Sequence, residues 1–578
     1  MTLSSSVRII FYLSISLYYC YAKNSSNFRV VQTSQGPVRG YLDANGEVFE
    51  FFGIPYAKAP TNTEKFKAPL PPDTWDDIYE AINNKIICPQ PDYHMNIPDN
   101  AFIVEDCLVA NVFVPNTNIE NAPVLVIVHG GAFIIGTGNG LSFKRLMKTA
   151  DMVVVTFNYR LGPHGFLCLG TEDVPGNAGM KDQVALLRWV QKNIRYFGGN
   201  PEDVTLSGFS AGASAVDLLI VSNTTRGLFT KAILESGSNT AAFSIQSDPI
   251  EKAKEYAKLL NFTNVDDIQA LEQFYKNASH DTLISADVMS RSDSTFLISP
   301  CVERDIGQET FLTDSPVNIL RSGNFQKVPM LTGFANMEGL FRMFIFDFWK
   351  NQMNENFSDF LPADLQFQNK EQRQEVSERI KYFYFGNETV SEKTVLNYVD
   401  YFTDVIFAYS ILRTAGLQVA AGNDKIYLYE YSFVDEDTPY VPYTNVRGAD
   451  HCAQTTAVFD AFVKDELTPE YREMKRQIRK LWANFITTGM PVPNATEFPS
   501  WPAMGDDADG SPYMALNLPL QLKDSLLKER RLFWDDIYAK HYLEPKSPSA
   551  RGNAKSNTMP FNIFLYICIA SVMIKGSF

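Results

Sequence analysis

The sequence predicts an α/β protein built on a mostly parallel central sheet, with helices on both faces and helical insertions capping one edge. Three observations point there. Val124-Leu-Val-Ile-Val128 is an unbroken apolar run, as expected of a strand buried on both sides. Strand-like and helix-like stretches alternate between residues 124 and 234, and alternation of this kind builds parallel sheets. Between the apolar run Val204-Thr-Leu206 and an Ala/Leu/Val-rich helical stretch over residues 211–221 lies Gly208-Phe-Ser-Ala-Gly212. Gly-x-Ser-x-Gly at a strand-to-helix junction is a sharp turn that holds the serine strained, with its hydroxyl exposed.

The elements follow in chain order. Residues 30–38 and 48–52 read as early strands, the second running into Phe52-Gly-Ile-Pro-Tyr56. The proline-rich stretch 59–75 is a loop, and 108–114 is strand-like. The run at 124–128 leads straight into His129-Gly130-Gly131. Residues 152–157 form another buried strand. Over 182–197, Leu186, Trp189, Val190, Ile194 and Phe197 share one face of an amphipathic helix. Strands are expected at 230–234, 328–334 and 426–431, and helices at 471–486 and 528–542. Residues 247–325 and 360–420 read as mainly helical and supply the cap. Parallel sheets place their sites at the C-terminal ends of strands, where His129-Gly-Gly and Ser210 both fall.

No linker or composition break interrupts residues 28–540, so the 578-residue chain is read as one large domain, 23–545, between processed ends. The net charge of −15 argues against nucleic acid as a partner. Residues 1–22 read as a secretory leader, with an apolar stretch at 9–17 and Cys20-Tyr-Ala22 as the cleavage site. Seven Asn-x-Ser/Thr sites fit an extracellular route: Asn24, Asn223, Asn261, Asn277, Asn356, Asn387 and Asn494. At the other end, a polar spacer (546–560) precedes an apolar tail (561–578). Small residues at Gly552 and Asn553 make this the pattern of a glycolipid-anchor signal, with a spanning tail or an unprocessed amphipathic end as the rivals. The protein is thus expected to be secreted, or tethered to the extracellular face of the plasma membrane. Five cysteines remain between the ends: Cys88, Cys107, Cys168, Cys301 and Cys452. Cys88 and Cys107 are the nearest pair in sequence, and an odd count leaves at least one thiol over.

A serine hydroxyl needs a base, an orienter for the base and an anion hole before it becomes a useful nucleophile. On sheets of this kind the chain order is serine, acid, histidine. Of six histidines only His451 and His541 lie far enough downstream, and His451 sits in a loop soon after a late strand. His541 belongs to the last charged helix. Glu338 follows the strand at 328–334 and reaches the same sheet edge; Asp347 is the weaker rival, and Asp450 is too near His451 in the chain. Backbone amides of Gly130, Gly131 and Ala211 are expected to bind a developing oxyanion. No cofactor and no metal are called for.

These residues resemble the type-B carboxylesterase and cholinesterase family, and most of all its secreted insect carboxylesterases. The matching stretches include Phe52-Gly-Ile-Pro-Tyr56, Glu105-Asp-Cys-Leu108, His129-Gly-Gly-Ala-Phe133, Asn158-Tyr-Arg-Leu-Gly162, Gly179-Met-Lys-Asp-Gln183, Ser207-Gly-Phe-Ser-Ala-Gly212 and Gly448-Ala-Asp-His451. The resemblance implies an α/β-hydrolase fold, hydrolysis of small-molecule carboxylic esters, the triad Ser210, Glu338 and His451, and a Cys88–Cys107 bridge. Four departures stand out. Phe209 precedes the serine where juvenile hormone esterases typically carry Gln. The 88–107 loop lacks the Trp that cholinesterases use for choline, holding only Tyr93 and His94. Gln454 replaces a usual acidic residue, which puts support of the histidine in question. The family's second bridge has no clear pair. Phe243 falls where cholinesterases carry a Trp near the acyl pocket, which suggests an apolar wall. The alternative is a cholinesterase-like binding or adhesion protein, which keeps the fold without the chemistry.

Overall fold

The computed structural model describes residues 27–92, 100–460, 467–494, 497–505 and 510–548. The leader, Asn24, Tyr93, His94 and the C-terminal tail with Gly552 and Asn553 lie outside the described residues.

A thirteen-stranded sheet runs through the described residues. Its strands are β1 (Phe28–Gln32), β2 (Pro37–Leu42), β3 (Val48–Pro55), β4 (Val109–Pro115), β5 (Ala122–Val128), β6 (Val153–Phe157), β7 (Gly199–Phe209), β8 (Lys231–Glu235), β9 (Met330–Ala335), β10 (Ile426–Tyr431), β11 (Pro512–Leu516) and β12 (Gln521–Asp524). The short strand Tyr79–Glu80 pairs with β2. The spatial order is β1-β2-β3-β4-β6-β5-β7-β8-β9-β10-β11-β12. From β6 to β11 every neighbouring pair is parallel; antiparallel pairs close both ends.

Alternation along β5 shows why the sheet must be covered twice. Val124, Val126 and Val128 join the core on one face; Leu125 and Ile127 join the core on the other. The first core holds helix α1 (Ala178–Asn193) and helix α2 (Ala211–Val221). Every residue of α2 is buried, which suits its lack of a polar stripe. The second core holds helix α4 (Pro469–Thr488), through Met474, Ile478, Leu481, Trp482 and Phe485; the short helix α3 (Ala453–Val458) precedes it. The last helix is α5 (Lys528–His541).

Three expectations need correction. Residues 30–38 are not one strand: a turn at Thr33–Gly36 separates β1 from β2, closed by the Thr33 amide and hydroxyl donating to the Gly36 carbonyl at 3.0 and 2.7 Å. The stretch 247–325 is helical only at Pro249–Leu259, Ile268–Asn277, His280–Leu283 and Pro316–Ser322, while residues 284–315 form no helix or strand. A second disulfide does exist, joining Cys168 to Cys301 across 133 residues. Asn177 clamps this bridge, donating to the Cys301 carbonyl at 2.8 Å and accepting from its amide at 2.9 Å. The expected Cys88–Cys107 bridge is also present. Strands β11 and β12 had no counterpart in the sequence reading.

Candidate active site

Sheet register brings the candidate residues together. Gly208 of β7 lies opposite Val128 of β5, so the residues just beyond, Ser210 and His129-Gly130-Gly131, leave the sheet side by side. Glu235 of β8 lies opposite both Phe209 of β7 and Gly333 of β9. Ser236 and Glu338 therefore emerge next along the same edge.

The turn at Ser210 is strained, with φ 55° and ψ −129° in a non-glycine residue. Two backbone contacts fix it: the Ser210 amide donates to the Glu235 carbonyl at 2.8 Å, and the Ser214 amide to the Ser210 carbonyl at 3.1 Å. Glycine at 212 is required by close approach, because a β-carbon there would lie 2.2 Å from the Val128 carbonyl oxygen.

The Ser210 hydroxyl stands 2.9 Å from His451 Nε2. On the ring's other side, Nδ1 is hydrogen-bonded to Glu338 Oε2. Glu338 is fully buried, and its second oxygen accepts from the Ala335 amide at 2.8 Å and the Ser236 hydroxyl at 2.5 Å. The loops carrying acid and base are pinned to one another: the Met337 amide donates to the Ala449 carbonyl, and the Ala449 amide to the Asn336 side chain, each at 3.0 Å. Burial opposes charging of His451, but the Glu338 carboxylate bonded to Nδ1 favours the imidazolium and holds its pKa above the ordinary imidazole value. Burial pushes the Cys452 thiol up, so it stays protonated at neutral pH and the carboxylate of Glu338 is the charge that counts.

Rings close one side of the site. Phe407 stacks on the His451 imidazole with centroids 4.2 Å apart, and Phe341 lies at 5.4 Å. Phe407 sits on a π-helical turn, Asp404–Ala408, a local widening of the kind often found at functional sites. Behind it Phe243 contacts Phe407 at 5.9 Å and Phe296 at 5.5 Å. The apolar wall suggested by Phe243 is thus in place, with Phe407 as the ring that meets the histidine.

Across the site, Gly131 has φ +110°, and Ala211 is the first residue of α2. His129 lies beneath the glycine turn, stacked on Tyr159 at 4.3 Å, and its Nδ1 hydrogen-bonds the Gly130 carbonyl at 2.8 Å. Burial drives its pKa down to about 4, so the ring is neutral; a carbonyl only accepts, so Nδ1 carries the proton.

Among the rivals, Asp347 is exposed and engaged with Lys350 and Tyr443, Asp450 is exposed, and His541 packs on Phe367 in α5. Sequence reasoning missed Ser236, Phe407 and the value of Gln454. Ser236 carried a signal, since it follows directly on a strand that ends at the active edge. The departure at Gln454 does not leave the histidine unsupported: its amide donates to the Ser236 hydroxyl at 2.7 Å.

The chain is similar to known proteins over most of its length. A profile described as "Carboxylesterase family" matches residues 27–534. A carboxylic ester hydrolase of Bombus ignitus is 31% identical over 80% of this chain and 85% of its own length. A juvenile hormone esterase of Heliothis virescens is 31% identical over 86% of this chain and 92% of its own. Among solved structures, juvenile hormone esterase from Manduca sexta, with OTFP covalently attached, aligns with a TM-score of 0.78 at 29% identity, covering 89% of this chain and all of that one.

Proposed function

This chain belongs to the carboxylesterase family and is a carboxylic ester hydrolase with the α/β-hydrolase fold, and we propose that Ser210, His451 and Glu338 carry its chemistry. The observation that bears most weight is the unbroken chain from the Ser210 hydroxyl through both ring nitrogens of His451 to a buried carboxylate. His451 Nε2 takes the hydroxyl proton as Ser210 Oγ attacks the ester carbonyl. Glu338 holds Nδ1–H and stabilises the imidazolium that forms. The amides of Gly130, Gly131 and Ala211 receive the negative charge on the carbonyl oxygen, and each such donor is worth about 10²–10³ in rate. The alkoxide leaves with the proton from Nε2. His451 then draws a proton from water, whose oxygen attacks the acyl carbon, and returns that proton to Ser210 Oγ as the carboxylic acid leaves.

The ring wall formed by Phe407 and Phe243 favours an ester with an apolar acyl or alcohol group. Relatedness does not narrow this further. The juvenile hormone esterase, the bee enzyme and a para-nitrobenzyl esterase of Bacillus subtilis all stand near 30% identity. Secretion or a surface tether is supported by two disulfides and by exposure of the six sequon asparagines among the described residues. No helix among the described residues is long and apolar enough to cross a membrane.

Purified protein should hydrolyse nitrophenyl or naphthyl acetate, and Ser210→Ala should lower kcat by at least about 10⁴-fold. An organophosphate should label Ser210 alone. A Ser210→Ala enzyme that keeps its rate would end this reading. Release from cells by a phospholipase C specific for phosphatidylinositol tests the anchor, and retention would point to a spanning tail.

A further inference from the structure

The hydrogen-bond chain does not stop at Glu338. Glu338 Oε1 accepts from Ser236 Oγ at 2.5 Å, and Ser236 Oγ meets Gln454 Nε2 at 2.7 Å. Glu338, Ser236 and Gln454 are all fully buried. The direction of each bond follows from chemistry. An ionised carboxylate only accepts, so the single hydroxyl hydrogen of Ser236 points at Glu338. The Ser236 oxygen is then an acceptor, and only a group with its own hydrogen can meet it. The amide of Gln454 supplies that hydrogen. An ionised carboxylate at the same place could not; it would compete for the Ser236 hydrogen and pull it away from Glu338.

We propose that Gln454 is a positioning residue for ester hydrolysis: as a permanently neutral donor it fixes the Ser236 hydroxyl towards Glu338, and so holds the carboxylate in line with His451. The inference rests on the reading of Ser210, His451 and Glu338 given above.

The surroundings explain why neutrality matters there. Glu338 and Ser236 face Gln454 from the β9 and β8 ends. Glu235, at the end of β8, accepts from Thr455 and from Trp482 Nε1 at 2.8 Å, and burial already pushes it up to about 7. Tyr429 contributes a buried phenol from β10. Asp450, His451 and Cys452 precede Gln454 in its own loop. Two carboxyl groups thus share a closed space with one imidazole. A third charge would be costly, whereas an amide adds none. The Thr455 bond to Glu235 anchors the start of α3, so Gln454 is held at its post by its own neighbour.

Three variants test the assignment, with kcat and KM for nitrophenyl acetate followed from pH 5.5 to 9 and folding checked by thermal melting. In Gln454→Met the donor is lost at similar volume; kcat should fall roughly five- to tenfold at every pH, with KM within about twofold of wild type. In Gln454→Glu the side chain donates while protonated and cannot once ionised. Its kcat should be close to wild type at pH 5.5 and fall roughly fivefold or more relative to wild type as pH rises. Ser236→Ala removes the middle link, so adding Gln454→Met to it should cost nothing further. A merely structural glutamine would lower the melting temperature without a pH-dependent rate ratio. The proposal is overturned if Gln454→Met keeps kcat within twofold, if the Gln454→Glu ratio is flat with pH, or if the losses at 236 and 454 multiply. Ser210→Ala measured alongside separates the two readings. A rate near wild type there refutes the triad; a loss of about 10⁴-fold there with a silent residue 454 refutes only this inference.

Discussion

Replacing Glu338 by Gln probes the site with almost no change of shape, and the structure says how the new side chain must sit. Glu338 Oε1 faces two donors, the Ala335 amide and the Ser236 hydroxyl, whereas Oε2 faces only His451 Nδ1. In Glu338→Gln the amide oxygen is drawn to the two donors, so the NH₂ group is turned on His451. Nδ1 must then accept, which moves the ring proton to Nε2 and removes the lone pair that Ser210 needs. Loss of charge acts in the same direction. A carboxylate about 4 Å from a forming imidazolium contributes roughly 4 kcal/mol at an effective dielectric constant near 20, or about 10³ in rate. With the wrong tautomer added, kcat/KM should fall about 10³–10⁴-fold. The pH profile carries a second signature. The base must be neutral to work, so activity is lost as pH falls through the His451 pKa. Burial opposes that charge, and the Glu338 carboxylate raises the value above the usual 6.5. Without the carboxylate the burial effect prevails, and the acidic limb moves to lower pH. Progress curves with nitrophenyl acetate between pH 5 and 9, beside a melting curve to establish folding, measure both effects. A folded variant within tenfold of wild type, or an acidic limb that moves upward, would refute the reasoning.

Gly131→Ala should lower kcat at least about 10²-fold. Its backbone is at φ +110° and the new β-carbon would start 2.0 Å from the Ile135 carbonyl oxygen, so the donor turn must move; unchanged kcat in steady-state assays would remove this turn from the anion hole. Cys452 is the unpaired cysteine among the described residues, and its Sγ lies 3.5 Å from His451 Nε2. Because burial keeps the thiol protonated, a maleimide should react with Cys452 only slowly at neutral pH, faster as pH rises, and inactivate the wild type as it labels, while Cys452→Ala stays active and insensitive; equal inactivation of both would place the reactive group elsewhere. Breaking the Cys168–Cys301 bridge, which closes 133 residues, should cost about 5 kcal/mol by chain entropy, against about 3 for the 19-residue Cys88–Cys107 loop. Denaturant midpoints of the two Cys→Ser double variants compare them, and the reverse ranking would show that contacts near the bridges dominate.

What the sequence discloses of this protein depends on how local the cause is. The strands β5, β7 and β10 were legible because burial on both faces writes an apolar run into the chain itself. Ser210 was legible because its strain must be relieved by neighbours two residues away. His451 was legible through chain order and the scarcity of histidines. The Cys168–Cys301 bridge had no such trace; which thiols meet is decided by the path of residues 284–315, a stretch without periodicity, and by the clamp at Asn177. Phe407 was hidden for the same reason, since a π-helical turn 44 residues before His451 brings it to the ring. Gln454 was misread rather than unread. The missing acid put support of the histidine in question, whereas the group Gln454 meets, a hydroxyl already donating to Glu338, requires a donor.

The accuracy of the site is set mainly by backbone register. The Glu338 carboxylate is held from three directions: by the Ala335 amide at the end of β9, by Ser236 at the end of β8, and by His451 in the loop that follows β10. Those three strands are consecutive and parallel, so their spacing is fixed by ladder hydrogen bonds before any side chain is chosen. The serine turn is tied to the same frame by the Ser210 amide on the Glu235 carbonyl, and the glycine turn by the close approach of Gly212 to Val128. A residue of register slip between β8 and β9 would carry Ser236 away from Glu338 while leaving the apolar core of each face almost as well filled at the strand ends. The polar chain from Gln454 to Ser210 therefore does more than tune a reaction. Its donors, Gln454 Nε2 to Ser236 Oγ and Ser236 Oγ to Glu338 Oε1, meet their acceptors in this register, and a slip that parted them would leave buried polar groups unpaired.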